Sequence, residues 1–509
     1  MVHSPYKCPL RRVRDWVTTT FWPTISAALR NTVHTARAPM AWHPASLLMS
    51  RFGFGIEAMT RADLAHYGLD GWWQFQLSFS RGAGAGYAGH AGVAAQGPLL
   101  TQSPAQVRAW LAANGNEYGW EAMDQLTRVT LGLQAWSRGQ VYETAVDFFA
   151  NHLNVANHSD GVWTTRHTMD RDVIRRYALG SYTDMLLASA RNPAMLRYLS
   201  LASSTKSAIN ENYGRELLEL HTVGIGNYTE ADVQNSARIL TGRSLDADFN
   251  YLYKPERHWV GPIKVMGFSH ANDSAATGEA AGDAYLRYLA SHPATAKRLA
   301  QKLCVRYVSD TPSPTLVAEL ARIYLQTGTQ IAPMLLAILR STEFWGSRGA
   351  KVRRPAENLI ATVRVLGVQP GTPSKSLQHL HWMSSSVGNV PLDWSPPNGY
   401  PDVAGAWRSS GSLLNLWSYH RGLVQNWYGG FAPFDPATLY GAVKPTTSGE
   451  AIAKLCIRLT GTRFPLAHEQ ALQTFLGEPA STPIASSRLR WYLTHLIPLI
   501  LDAPQHALR

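Results

Sequence analysis

The chain has 509 residues, of which 45% are hydrophobic and 16% are charged. This balance supplies ample material for a buried core and excludes intrinsic disorder over most of the length. The formal net charge of +12 favours acidic partners, such as an anionic ligand, lipid or glycan. The basic residues are spread along the chain without a recognised reader motif, so we expect no sequence-specific binding of nucleic acid.

The N-terminal region and the cysteines bear on the compartment. The three cysteines of the chain are too few and too far apart for a disulfide framework or a zinc knuckle. No stretch approaches the roughly 20 apolar residues of a membrane span, so we predict no transmembrane segment. Arg11 and Arg12 resemble a twin-arginine signal, but Arg14 and Pro23 interrupt the apolar region that an export signal requires. We therefore predict a poorly patterned basic leader over 1–42 and a cytoplasmic location, with export as the alternative.

From residue 43 onward, apolar residues recur at helical spacing, and alternating stretches long enough for a β-sheet are scarce. The pattern predicts an all-α protein, a large multi-helix globular body with long irregular loops and no substantial sheet. We expect helices at 45–51, 60–79, 104–114, 119–156, 169–190, 192–200, 210–222, 229–242, 293–308, 313–326, 330–341 and 354–366.

Composition divides the chain into three parts after the leader. Residues 43–369 form the main helical domain, which carries the most informative motif. Residues 370–405 contain several prolines and are predicted to be an irregular connection. Residues 406–509 are predicted to be a C-terminal helical segment packed on the main domain. Residues 243–280 are a second irregular stretch, of the length typical of a binding loop or lid.

The helix Glu211–His221 carries the densest cluster of chemically active side chains. At about 100° per residue, its polar side chains fall in one arc of about 140°, formed by Glu211, Asn212, Arg215, Glu216 and Glu219. One interpretation is a solvated face with helical ion pairs, each contributing a few tenths of a kcal/mol. The other is a carboxylate cluster that binds a divalent metal or relays protons. Gly214 favours the second, because glycine costs about 1 kcal/mol in a helix unless a close approach requires it.

The same helix carries a resemblance to a known family. The run Asn210–His221, followed by Gly224 and Tyr228–Val233, strongly resembles the hallmark of the bacterial "domain of unknown function 1800" family. Further blocks that resemble the family's are Phe148-Phe149 with Asn151-His152, Pro193–Leu196 with Tyr198-Leu199, His292-Pro293 and Lys302-Leu303. The resemblance covers the chain from about Ser46 to its end.

The resemblance implies a helical fold with a shared polar centre, but it supplies no reaction, because the family is largely uncharacterised. Members are often exported and often encoded beside a second family that resembles alkaline phosphatases and sulfatases. It therefore implies a protein partner of that phosphatase/sulfatase-like kind. Ser200 stands where the family pattern commonly has Asp, which puts any chemistry that depends on that Asp in doubt.

Two histidines are candidates for the same centre. His152 lies in a block that resembles the family's, and His258 lies in the irregular stretch 243–280. A lone histidine is more often a satisfied core or surface group, and His158 is interpreted in that way. The chain has no HExxH, Walker, GxSxG or CxxC motif. A metal site would therefore be rich in oxygen and imidazole ligands, which suit Mg, Mn, Fe or Zn.

Two hypotheses follow from these residues. The first is an enzyme with a carboxylate-and-histidine centre, in which the catalytic groups are Glu216, Glu219, Arg215 and His152. In its metal-dependent form, a divalent metal is bound by Glu216, Glu219 and His152, and the substrate is bound by His258, Asn212 and Tyr213. The second is a non-catalytic helical scaffold that binds a partner protein, with the polar arc as a structural network.

Overall fold

A computed structural model of the protein describes residues 44–80, 87, 89–115, 119–159, 161–441 and 443–509. The predicted leader 1–42 lies outside these residues. The all-α prediction is confirmed, since the described part contains many helices and only two small two-stranded sheets. No helix of the described part combines the length and the apolar character that crossing a membrane requires.

The α-helices of the first half are α1 Pro44–Arg51, α2 Ala58–Ser78, α3 Ala91–Ala94, α4 Pro104–Ala113, α5 Trp120–Trp136, α6 Gln140–His152, α7 Arg166–Thr168, α8 Tyr182–Ser189, α9 Pro193–Tyr198, α10 Asn212–Glu216 and α11 Glu230–Leu240. Two of them continue into π-helical turns, α7 into Met169–Arg175 and α10 into Leu217–His221. We call Asn212–His221 the central helix.

The α-helices of the second half are α12 Gly278–Ala290, α13 Pro293–Tyr307, α14 Pro314–Gln326, α15 Ile331–Arg340, α16 Thr342–Gly346, α17 Pro355–Leu366, α18 Pro373–Ser386, α19 Ser410–Val424, α20 Ser448–Thr460, α21 Leu466–Leu476, α22 Leu489–Leu501 and α23 Pro504–Ala507. Helix α19 packs against α17 and α22, so side chains from both sides of the 370–405 segment meet in the apolar core.

Local sequence signals explain where several helices begin. Thr229 accepts a hydrogen bond from the backbone N–H of Asp232, whose carboxylate in turn accepts the backbone N–H of Thr229. This capping box satisfies two amides that the first turn leaves free. Pro293 occupies the first turn of α13, where its missing N–H costs nothing, and His292 accepts from the backbone of Ala294.

The stretch 243–280 is less irregular than its composition indicates. Antiparallel strands β1 Arg243–Leu245 and β2 Tyr251–Tyr253 form one hairpin, and β3 Ile263–Val265 and β4 Phe268–His270 form another. Strands of three residues are too short to give a readable alternation, so the pattern missed them. Similarly, 370–405 contains α18, although the rest of that stretch is largely without helix or strand.

The central helix buries its apolar side and leaves its polar side half open. Tyr213, Leu217 and Leu218 are buried, whereas Arg215, Glu216 and Glu219 are partly exposed. Gly214 lies where the central helix meets α11. A Cβ at this position would lie 2.8 Å from the backbone nitrogen of Ala237 and 3.1 Å from the carbonyl oxygen of Val233. The close approach that the glycine predicts is therefore present.

We expect Gly214→Ala to lower the free energy of unfolding by roughly 1–3 kcal/mol, because the new methyl group overpacks against a rigid backbone. Urea unfolding monitored by circular dichroism measures the change. Gly346→Ala is the matched control, since no described atom lies within 4 Å of a Cβ at that helical position. Equal stability of the two variants would contradict a packing role for Gly214.

Candidate functional site

His152, the last residue of α6, is buried and is hydrogen-bonded through both ring nitrogens. Its Nε2 lies 3.0 Å from the hydroxyl oxygen of Tyr182 and 3.2 Å from the carbonyl oxygen of His221. The Tyr182 hydroxyl itself donates to that same carbonyl. The other ring nitrogen of His152, Nδ1, lies 3.0 Å from Nζ of Lys302, on α13. Three helices and the end of the central helix therefore meet at this one ring.

These contacts define the state of the ring. The charged form of Lys302 has N–H donors and no acceptor, so in that form it donates to Nδ1 of His152. The proton of the neutral ring then sits on Nε2, which donates towards Tyr182 and the His221 carbonyl. Burial, followed by the charge of Lys302, holds the pKa of His152 well below its usual value. The ring is thus neutral at physiological pH.

Lys302 is half-buried, and no carboxylate oxygen of the described residues lies within ion-pair distance of its Nζ. Burial, followed by the nearby charge of Arg298, lowers the pKa of Lys302 to about 7, while the charge of Asp402 opposes this shift. A lysine with this pKa exists in both protonation states at neutral pH. It can therefore accept or donate a proton there.

Arg298 lies one helical turn before Lys302 on α13. Its Nε makes a long 3.4 Å contact with the carbonyl oxygen of Leu220. The guanidinium packs beside Gly224, where a Cβ would come within 2.9 Å of Nη1. His221 lies nearby, fully buried, and neither of its ring nitrogens has a hydrogen-bond partner among the described residues. Burial, followed by the charges of Lys302 and Arg298, lowers the pKa of His221 to about 3.

We call the residues His152, Tyr182, His221, Arg298 and Lys302 the His152 centre. Of the residues predicted for the site, only His152 belongs to it directly. Among the predicted carboxylates, Glu219 is the one whose charge raises the pKa of a member of this centre, Arg298. Its carboxylate accepts a hydrogen bond of 2.8 Å from the Tyr228 hydroxyl.

No hydrogen bond or ion pair among the described residues joins the other members of the predicted polar arc to His152. Glu216 is half-buried, and burial followed by the charge of Glu219 raises its pKa. Arg215 pairs with Glu230 at 2.6 Å and with Glu211 at 3.7 Å. The Arg215–Glu219 pair expected from helical spacing is absent from the ion pairs of the described residues. The π-helical turn after Glu216 accounts for this, because it changes the angular spacing beyond that point.

The predicted substrate-binding residues occupy three separate environments. His258 is buried, with Nδ1 at 2.8 Å from the Thr241 carbonyl oxygen and Nε2 at 2.8 Å from Oδ1 of Asn272. Tyr213 is buried, and its hydroxyl has no partner among the described residues. Asn212 is exposed at the start of the central helix. Among the interactions of the described residues, no hydrogen bond or ring contact joins any of the three to His152, so their role in binding stays a prediction.

Metal binding also stays a prediction. Within the described ranges, no group of three or more histidine, cysteine, aspartate or glutamate side chains is arranged to hold a metal ion. Glu216, Glu219 and His152 were predicted as such a group. His152 would have to give up a hydrogen bond to Lys302 or Tyr182 before either nitrogen could bind a metal.

Ser200 adopts a left-handed backbone conformation, with φ of 60°, at the turn before a short 3₁₀ segment. Aspartate and asparagine tolerate this conformation better than most residues. The turn therefore favours a short polar residue at this position for a conformational reason, and Ser200 is such a residue.

A buried cluster of charges lies on the same two helices as His152 and Lys302. Arg306, on α13, pairs with Asp147 of α6 at 3.3 Å, with Asp402 at 3.6 Å and with Glu357 of α17. Arg509 also pairs with Asp402, at 3.1 Å. Unlike Arg298 and Lys302, these buried cations have carboxylate partners.

We expect His221 to make stability fall in acid. Its folded-state pKa of about 3 lies below the usual 6.5, so the unfolded chain binds a proton that the folded chain does not. The stability that this neutral ring contributes is complete above pH 6.5 and is lost as the pH falls from 6.5 towards 3. His221→Leu should make the decline shallower by up to about 1.4 kcal/mol per pH unit.

Urea unfolding at pH 7, 6 and 5 measures these slopes in both proteins. His66→Gln serves as the control, because that ring is exposed to solvent. The assignment is wrong if His221→Leu and the parent protein lose stability in parallel over this range.

Comparison with known proteins gives one match. No curated protein and no solved structure matches the chain. A family model described as "Protein of unknown function (DUF1800)" matches residues 47–508, which confirms the resemblance seen in the central helix and its companion blocks. The chain therefore belongs to the DUF1800 family.

Proposed function

We propose that this protein is an enzyme that transfers protons at the His152 centre, with Lys302 as the group that exchanges a proton with the substrate. The observation that carries the proposal is the 3.0 Å contact between Lys302 Nζ and His152 Nδ1. In this contact the amine of Lys302 faces the neutral ring of His152, which carries no negative charge to pair with it. Such an amine is a far better base at neutral pH than an ion-paired lysine.

The rest of the hydrogen-bond chain supports this role. His152 donates from Nε2 towards the Tyr182 hydroxyl, and Tyr182 donates to the His221 carbonyl. A ring held on both sides keeps one orientation and one tautomer. His152 is therefore best suited to position Lys302, while Lys302, which is half-buried rather than sealed, can reach a bound substrate.

The predicted carboxylates fit the same proposal as secondary groups. Burial raises the pKa of Glu216, so its carboxyl keeps its proton to a higher pH than an exposed glutamate does. Glu219 is oriented by the Tyr228 hydroxyl. We assign Glu216 as a candidate general acid and Glu219 as a carboxylate whose charge acts on Arg298 from beyond ion-pair distance. Arg215, paired with Glu230 in an exposed position, has the weakest support among the predicted catalytic residues.

The ionisation of Lys302 tests the proposal directly. Brief labelling with acetic anhydride between pH 6 and 10, followed by peptide mass spectrometry, gives the midpoint of reactivity for each lysine. We expect a midpoint near 7 for Lys302. Lys297, exposed on the same helix, is the internal comparison and should react at higher pH only. A midpoint near the usual 10.5, or no reactivity at any pH, would overturn the proposal.

A turnover assay completes this test. The parent protein is first assayed on a panel of esters, amides, phosphate esters and carbonyl acids. For any substrate that it turns over, we expect Lys302→Met to lower the rate by roughly 10²-fold or more, the range typical for an acid–base group. Lys297→Met, the matched control, should retain it. Activity that survives in Lys302→Met would assign the reaction to other residues.

A second candidate function is partner binding, and a separate observation favours it. A groove of about 450 Å³ lies between α19, α21 and α22. Its lining includes the exposed apolar side chains Leu414, Trp417, Phe475 and Leu499. Exposed apolar residues gathered in one groove are typical of protein-binding surfaces. The phosphatase/sulfatase-like protein that family resemblance suggests is the partner to test.

We expect Leu414→Asp to abolish co-purification of the tagged chain with that phosphatase/sulfatase-like protein, because a charge in an apolar groove loses hydration on binding. Leu466→Asp is the matched control, since Leu466 is exposed on α21 but does not line the groove. Equal recovery of partner with both variants, or none with the parent chain, would remove this candidate.

A further inference from the structure

Arg298 and Lys302 form a pair of neighbouring cations without ionic partners. They lie one turn apart on α13, and neither has a carboxylate within 4 Å in the described part of the chain. One turn further, Arg306 shows the opposite arrangement, with Asp147 and Glu357 paired to its guanidinium. The same helix therefore neutralises one buried cation and leaves two others unpaired.

This arrangement is unfavourable as it stands. Like charges one turn apart on a helix repel each other, and partial burial removes some of the hydration that would screen them. Both effects lower the pKa of Lys302, with burial the larger and Arg298 the next. Burial also lowers the pKa of Arg298. An anion placed between the two side chains would relieve the repulsion and replace the lost hydration.

The carboxylates that act on these cations are already engaged elsewhere. Glu219 accepts a hydrogen bond from Tyr228 and is beyond ion-pair distance of Arg298. Asp402 raises the pKa of Lys302 but pairs with Arg509 and Lys351, at 3.1 and 3.3 Å. Neither carboxylate can neutralise the cation pair without leaving its own partners.

The surroundings of the pair are also suited to a ligand. Gly224 lets the Arg298 guanidinium lie against the backbone, where a side chain would collide with Nη1. His221, whose pKa both cations lower, is fully buried with two unpaired ring nitrogens. A neutral imidazole carries one N–H donor, and burying that donor without a partner is unfavourable. A bound anion would supply the missing acceptor.

We propose that Arg298 and Lys302 bind the anionic group of the substrate, a carboxylate or a phosphate, with the His221 imidazole as a third donor. This inference rests on the proposed function and names the substrate class of the same centre. The guanidinium offers paired N–H donors that match the two oxygens of either group. The bound anion also holds the rest of the substrate beside Lys302. Because the anion favours the ammonium form, Lys302 acts on that substrate as the proton donor.

Arginine footprinting tests the inference on the intact chain. Phenylglyoxal modification of Arg298 is quantified by mass spectrometry in chloride, acetate or inorganic phosphate at equal ionic strength, which holds screening constant. We expect at least fivefold protection of Arg298 by acetate, by phosphate or by both, and the arm that protects identifies the group. Arg322, exposed on α14, is the internal control and should react equally in all three. Lys302→Met should weaken the protection.

A second readout separates this inference from the proposed function. The protecting anion should raise the labelling midpoint of Lys302, because a nearby negative charge favours the ammonium form. If Lys302 titrates near 7 but neither anion protects Arg298 nor moves the midpoint, anion binding is wrong and the proton-transfer proposal stands. If Lys302 titrates near 10.5 in chloride alone, the proposed function itself is wrong.

Discussion

The ion pair between Asp147 and Arg306 fixes the relation between α6 and α13, on which the His152 centre depends. Both side chains are largely buried, at 10% and 2% exposure, so the pair has little water to compete with it. Asp147 precedes His152 on α6, and Lys302 precedes Arg306 on α13. Moving one helix along the other would separate both pairs together. The buried charges thus hold the Lys302 amine opposite the His152 ring.

Buried ion pairs of this kind contribute little net free energy to folding. Removing two charges from water costs several kcal/mol per ion, which the attraction between them repays only with good geometry. Their value here lies in specificity, because an apolar contact would tolerate a shift that an ion pair does not. Arg306 also reaches Glu357 and Asp402, so the same constraint extends to α17 and to the segment before α19.

The residues next to His152 use amide groups to hold the neighbouring loop. Asn151 accepts the backbone N–H of Tyr400 at 3.1 Å. Asn154 donates to the carbonyl oxygens of Trp394 and Pro396, each at 2.8 Å. The end of α6 therefore orients the His152 ring on one side and holds residues 394–400 on the other. These hydrogen bonds explain how a proline-rich loop without helix or strand is positioned beside the centre.

The sequence predicted the parts of this arrangement that depend on local spacing. Apolar periodicity located most of the helices, although the predicted helices 119–156 and 169–190 are each divided in two. Thr229 and Asp232 marked a capping box, and Gly214 indicated a close contact that the structure contains. The resemblance to the family pointed to His152, and its Lys302-Leu303 block already contained the lysine. The role of Lys302 could not be predicted, because nothing in the sequence between His152 and Lys302 shows that α13 packs against the end of α6.

The remaining differences have tertiary causes. The helical wheel assumed a uniform turn, whereas the central helix widens into a π-helical turn at Leu217. Arg215 was predicted as a catalytic group, but its closest ion pair is with Glu230, on the next helix. Tyr182 and Arg298 reach the centre only through packing, and no short motif marks either of them.

The contrast along α13 is the strongest argument for chemistry at the centre rather than a purely structural network. A network that serves only to fix helices is stabilised by complete pairing, since each unpaired buried polar group costs about 1–3 kcal/mol. The fold supplies ionic partners at Arg306, whose guanidinium pairs with Asp147, Glu357 and Asp402. One turn away it leaves Lys302 against a neutral ring, and two turns away it leaves Arg298 without a carboxylate within ion-pair distance. A single acidic side chain could relieve the repulsion between these two cations, but the fold does not provide one. A site for a charged ligand requires such unrelieved charge.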